Sequence, residues 1–313
     1  MDQYDDFFKV SVNSETDHVV VTKLNIAEND GFGSRHSMGA ATFNDKIILF
    51  GGQDVIKEEV LDDVYVYHHD QLKLEKIEYL KEGAIVPKPR NSHSFVSNGK
   101  TAFIFGGANN DGPLNDAFEF DLESYEFKRI PIANPQTCPF FEMHTSHLYK
   151  ENIILLVGGR SHISLSQQND PEAIEQAMQV PFRDVIISLD LTTGLVEDFM
   201  NLPTSMAAHT SLLLDNRYLV IYGGTNGLKF FDCILRLDID NKKWTMMTTY
   251  PSTQKGSPFF KDGHFACVSA ASPADSEDQI WVVFGGSTLQ GDCNDFLVLH
   301  KKDLLDDNNF QEI

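Results

Sequence analysis

Short apolar runs of about four to six residues, rich in Val, Ile, Leu and Phe, alternate with polar turn-forming stretches along the whole chain, as strands and tight turns require. Five of these runs end in a glycine pair: Gly51 and Gly52, Gly106 and Gly107, Gly158 and Gly159, Gly223 and Gly224, Gly285 and Gly286. Successive pairs are 55, 52, 65 and 62 residues apart. A histidine precedes each pair (His36, His93, His144, His209, His264). An aspartate follows each one, just before another apolar run (Asp63, Asp116, Asp184, Asp232, Asp295). A further run lies beyond a turn, as in Asp238 to Trp244 and Asp121 to Phe127. Each unit therefore predicts four strands. The first starts at the histidine, the second ends at the glycines, the third follows the aspartate, and the fourth carries an aromatic or apolar anchor.

Four-stranded antiparallel units repeated at about this spacing, with no helical period between strands, predict the blades of a β-propeller. The ordered set of His, Gly-Gly, Asp and anchor resembles the Kelch repeat family over nearly the whole chain. Pro87-Lys88-Pro89-Arg90-Asn91-Ser92-His93-Ser94 is similar to the Pro-x-x-Arg-x-x-His-Ser opening of Kelch-only proteins, and no BTB region accompanies it. The match departs from the family in two ways. Only Trp244 supplies the fourth-strand tryptophan, replaced elsewhere by Leu74, Phe127 and Val196. Only Arg90 has the family spacing to its histidine, because Arg35 adjoins His36.

The first residues add half a unit. Asp6 to Val12 reads as a third strand with its leading aspartate, and His18 to Leu24 as a fourth. At the other end Phe296 to His300 reads as a third strand and Phe310 to Ile313 as a short fourth. The expected fold is an all-β Kelch propeller in one domain, residues 1–313, with five complete blades and an N-terminal outer hairpin as a partial sixth. The alternative is a closed five-blade ring whose last blade takes residues 18–24 as its outermost strand.

Charge narrows the partners. With 25 Lys and Arg against 46 Asp and Glu, the formal net charge is −21. A general electrostatic attraction to nucleic acid or anionic membrane is excluded. No apolar run reaches the roughly 18 residues of a membrane helix, and the acidic N-terminus does not read as a signal peptide. The four cysteines, Cys138, Cys233, Cys267 and Cys293, have neither paired nor metal-ligand spacing. The expected setting is a reduced compartment, the cytoplasm or the nucleus.

The repeated residues read as structural. Glycine pairs supply positive φ or close backbone approach, and no helix or lysine follows them to hold phosphate. One histidine per unit reads as a hydrogen-bonding structural residue rather than a metal ring, and the aspartates as acceptors of loop N–H groups. No cofactor or metal is expected. Residues that break the repeat are the candidate partner contacts. They are Arg35, Arg90, Arg160 and Arg183, with pairing to the repeat aspartates as the alternative, and the aromatics Phe140, Phe141, Phe230, Phe259 and Phe260, with packing between blades as the alternative. An insertion from Arg160 to Phe182, with a helix start at Asp170-Pro171-Glu172, and a Ser/Thr/Pro-rich loop from Thr248 to Lys261 fall on the same face. The Ala271–Asp278 insertion falls on the opposite face.

The favoured function is a non-catalytic scaffold or adaptor that binds a protein or peptide on its loop-lined face. The competing class is a metal-dependent propeller enzyme, such as an oxidase, an epimerase or an iron-using specifier protein, or the propeller portion of a larger enzyme or ubiquitin-ligase adaptor. Glu59 and Asp63 have the specifier spacing, but the next step is Tyr67, which leaves that ligand set incomplete.

Overall fold

The computed structural model describes residues 6–13, 15–78, 85–161, 182–248, 268–271, 279–288 and 291–313. Phe259, Phe260, His264, Cys267, the helix start at 170–172 and the 272–278 segment lie outside them.

The predicted units form five antiparallel sheets of a β-propeller fold. In the first, Gly39–Phe43, Lys46–Phe50, Val64–His68 and Lys73–Lys76 pair in chain order. The two-residue strand Glu28–Asn29 runs parallel to the last of them. The second sheet holds Ser94–Ser97, Thr101–Phe105, Ala117–Asp121 and Phe127–Ile130. The third holds Thr145–Tyr149, Ile153–Val157, Val185–Asp190 and Val196–Asn201, and the fourth Thr210–Leu214, Tyr218–Tyr222, Ile234–Asp238 and Lys243–Met247. The fifth contains three strands among the described residues, Val268–Ala271, Ile280–Phe284 and Phe296–His300.

The C-terminus departs from expectation. Phe310–Glu312 does not extend the fifth sheet; it pairs antiparallel with Lys243–Met247 and becomes the outer edge of the fourth. Arg236 draws it there. Its guanidinium stacks 4.0 Å over the Phe310 ring, donates to the Leu304 carbonyl and pairs with Asp307 at 2.5 Å. The short helix Lys301–Leu305 makes the turn.

The N-terminal strands Phe7–Asn13 and His18–Leu24 form a two-stranded sheet of their own. Residues 18–24 pair with no described strand of the fifth sheet; the blades observed are five, with this hairpin as a separate sheet.

By internal contacts the chain divides into two compact units, one of Met1–Lys9, Val21–Pro181 and Ile187–Phe199, the other of Val10–Val20, Phe182–Ile186 and Met200–Ile313. Each has a core built by strand alternation. In the first, Ile48, Phe50, Val64 and Val66 of one sheet face Ala102, Ile104, Phe118 and Phe120 of the next. Leu49, Tyr65, Tyr67 and Leu74 point the other way, where Phe32, Phe7, Leu24 and Ile26 cover them. Both faces are buried, which is why these strands read as continuous apolar runs rather than alternating ones. In the second unit Val220, Tyr222 and Ile234 pack with Trp281, Val283, Leu297 and Leu299. There Asp17, in the hairpin turn, meets His300 at 2.7 Å.

Candidate interaction face

In the first four sheets the connection entering the first strand and the connection leaving the second lie at the same strand end. There the two backbones pair: His36 with Gln53, Asn91 with Ala108, Glu142 with Arg160, Ala207 with Thr225. These pairs mark the rim on which variable loops can meet a partner.

Beneath the rim lie the glycine pairs, all ten residues at positive φ. The second pair shows why two glycines are needed. A Cβ on Gly106 would sit 2.6 Å from the Phe141 carbonyl oxygen, and one on Gly107 2.5 Å from that of Asn91. Both N–H groups are used: Gly106 donates to the Asp116 carbonyl and Gly107 to that of Phe141. The pair thus stitches one blade to the next at a distance no side chain permits.

The histidine position needs correction in the first unit. In the second, third and fourth units a positive-φ residue precedes the histidine: Ser92 before His93, Met143 before His144, Ala208 before His209. Its counterpart in the first sheet is Ser37, so Met38, not His36, holds the repeat position. The neighbours agree: Gly52 abuts the Met38 Cβ as Gly107 abuts that of His93. His36 lies outside the series, exposed, its Nδ1 3.0 Å from the Ser37 hydroxyl. Arg35 consequently stands three residues before the repeat position, as Arg90 does, and the apparent irregular spacing disappears.

The expected hydrogen-bonding role also fails for His93. Both ring nitrogens are buried without a hydrogen-bond partner. The ring acts by shape, edge-on to Phe50 at a centroid distance of 5.3 Å. Burial, with Arg90 and His144 nearby, holds its imidazole well below the ordinary histidine range, so it stays neutral. His144 and His209 are likewise buried.

Two candidate arginines face inward. Arg90 is fully buried and donates to both Asp116 oxygens at 2.8 and 3.1 Å and to the Gly106 carbonyl. Arg35 repeats the arrangement with Asp63 and the Gly51 carbonyl. A forked guanidinium matches a carboxylate in two bonds and neutralises it. Hence Asp63 and Asp116 serve as guanidinium acceptors, not as caps for loop N–H groups, and neither arginine is offered to a partner. In the third and fourth sheets the arginine position is Phe141 and Met206, 0% and 1% exposed, while Asp184 and Asp232 remain exposed. Phe141 is therefore core: its ring lies 5.4 Å from Phe105 and 4.3 Å from His144.

Other candidates reach the surface. Phe140 is 45% exposed, and Leu228, at the tip of a rim loop and unmarked in the sequence reading, is 92% exposed. Phe230 is half-buried beside it. Arg160 is tied through Nε to the buried Glu142 at 2.9 Å, with its side chain 40% exposed. Ser161 donates to the Phe140 carbonyl and holds this corner together. Arg183 is half-buried, and its carbonyl accepts from Met206 N–H. Asp295 is half-buried, its carbonyl accepting from Gly285 as the repeat dictates. Among the described residues no three His, Cys, Asp or Glu side chains converge closely enough to hold a metal ion.

Comparison with known proteins matches the KLHDC2/KLHL20/DRC7 Kelch-repeats domain to residues 2–170. Host cell factor 1 of Homo sapiens is 26% identical over 246 residues, 74% of this chain and 11% of that protein. Host cell factor 2 of Homo sapiens is 23% identical over 251 residues, 75% of this chain and 29% of the relative. The Rho GTPase-activating protein gacHH of Dictyostelium discoideum is 29% identical over 126 residues, 40% of this chain and 8% of that protein. The chain thus spans about a tenth of the length of the first relatives it matches.

Proposed function

Because the chain belongs to the Kelch-repeat family of β-propeller proteins, we propose that it works as a non-catalytic interaction platform, a scaffold or adaptor that takes a protein or peptide on the rim. One contrast carries the reading. Three residues before the repeat-histidine position the side chain turns inward in each of the first four blades, as Arg35, Arg90, Phe141 and Met206, whereas Phe140, Arg160 and Leu228, which the repeat does not need, project from rim loops. Exposed apolar and forked cationic side chains on a rigid frame are the usual anchors of protein contacts. Cys233 and Cys293 form no disulfide with any described residue, which supports a reducing interior such as the cytoplasm or nucleus.

The test compares two faces in pull-downs with tagged chain. Phe140→Ala with Arg160→Ala on the rim should deplete the captured partners. Lys100→Ala with Glu123→Ala, in the turns at the other end of the strands, should leave them in place. Equal capture by both double variants, at unchanged melting temperature, would sink the proposal.

A further inference from the structure

The connection from the second sheet to the third is unlike the rest of this acidic chain. From Phe127 to Phe141 it contains no Asp or Glu, but it does contain Lys128 and Arg129. Lys128 pairs with Glu119 across the sheet. Arg129, on the outermost strand, is exposed and forms no ion pair with any described residue.

A cavity of about 410 Å³ opens beside it, lined by Asn115, Asp116, Arg129, Pro131, Ile132 and Pro135. The one carboxylate in the lining, Asp116, is already neutralised by Arg90. That leaves apolar walls and one uncompensated cation.

The wall is also held in advance of any ligand. Asn134 imitates a strand: its Oδ1 accepts from Val196 N–H at 2.9 Å, and its Nδ2 donates to the Val196 carbonyl at 2.7 Å. Ala133 donates to the Gly194 carbonyl, while Thr137 and Cys138 donate to that of Asn134. Asn115 fastens the other side through the Cys138 carbonyl at 3.2 Å. A pre-formed wall spares a ligand the cost of ordering it. The volume suits one or two large side chains rather than a cofactor-sized ligand.

Resting on the platform reading above, we infer that this cavity recognises an extended protein segment in which a large apolar side chain lies a few residues from an Asp or Glu. The apolar group enters between Pro131, Ile132 and Pro135, and the carboxylate meets Arg129. The rest of the strongly acidic surface repels such a segment, which gives the site its register.

The probe is a phage-displayed library of random 12-residue peptides selected on the purified full chain. The winners are then synthesised and measured by fluorescence anisotropy. Selected peptides should join an acidic residue to a large apolar one. Arg129→Glu should weaken them at least tenfold, Ile132→Asp similarly, and Lys100→Ala, at the other end of the strands, not at all. Should either cavity variant melt early, Arg129→Gln at the same exposed position gives the reading, with a loss of several-fold. Peptides that bind but are neutral or basic, or ignore Arg129→Glu, overturn the inference and leave the platform standing. A library that yields no binder overturns both.

Discussion

The second and fourth sheets have the same strand order and the same glycine turns, yet they support the rim by different chemistry. In the second, Arg90 crosses under the rim to neutralise Asp116. In the fourth, the corresponding residue is Met206, buried and apolar, and Asp232 faces solvent. The repeat therefore requires a filled position, not a particular interaction. An ion pair and a thioether both close the space, but only the ion pair commits its aspartate to the interior. A blade that uses the arginine is electrostatically sealed, whereas one that does not leaves a carboxylate at the rim.

The largest effect should come from breaking the sealed version. Arg90→Met leaves Asp116 without its counter-charge and should cost about 3–5 kcal/mol, the usual result of removing one partner of a buried pair. Denaturant unfolding measures it. The double variant Arg90→Met with Asp116→Asn should recover much of the loss, because the second sheet then resembles the fourth. If it recovers nothing, the two solutions are not interchangeable and the comparison breaks.

Glycine substitutions sharpen the stitching of the second sheet. Gly107 and Gly99 share φ +87°, but a Cβ on Gly99 meets nothing within 4 Å while one on Gly107 strikes the Asn91 carbonyl oxygen. Gly99→Ala should cost about 1 kcal/mol from backbone conformation alone. Gly107→Ala should cost about 2–3 kcal/mol more, by analogy with other strained sites. Equal losses would mean that close approach is not what fixes the second glycine.

Acidity separates the regions next. Burial keeps His93 well below the ordinary histidine range and brings His147 to about 4. Both residues belong to the second and third sheets. Between pH 6.5 and 4 the unfolded chain binds protons that the folded chain refuses, so stability must fall as pH falls through that window. The fourth sheet responds later. Arg217, Asn241 and the turn N–H hold Asp238 at about 2, so its contribution is present above the ordinary carboxylate range near 3.8 and lost only as pH drops towards 2. A series of melting curves from pH 7.5 to 5 should decline in the parent and flatten in His93→Phe. An unchanged slope would refute the buried-neutral assignment.

The smallest effect on folding belongs to the exposed rim. Phe140→Ala and Leu228→Ala should each change stability by less than about 0.5 kcal/mol, because neither supports a core. At least one should lower partner capture. Losses in melting temperature comparable to that of Phe141→Ala would show that these side chains are structural.

Much of this was legible in the chain. The positive φ of the glycine pairs, the strand starts after Asp63 and Asp116, and the fourth-strand anchors Leu74, Phe127, Val196 and Trp244 all follow from local sterics and alternation. The alternative pairing of Arg35 and Arg90 with the repeat aspartates was also within reach. The histidine of the first unit was misplaced because residue identity outvoted conformation. Only the left-handed Ser37 reveals that Met38 is the counterpart of His93. Phe140 and Phe141 are adjacent and identical, and only the spacing of Phe141 to His144, equal to that of Arg90 to His93, marks which of the two is core.

By itself the sequence determined the blade: four strands, where each turn bends, and which positions must lack a side chain, since those are properties of neighbouring residues. Tertiary structure alone decided what the blade edges do. Phe310–Glu312 joins the fourth sheet rather than the fifth because Arg236 waits there to stack on the Phe310 ring and pair with Asp307. Asn134 turns a loop into a cavity wall because Val196 offers it a free backbone edge. Such choices depend on which distant groups remain unsatisfied after the strands have paired, and no local pattern encodes that remainder.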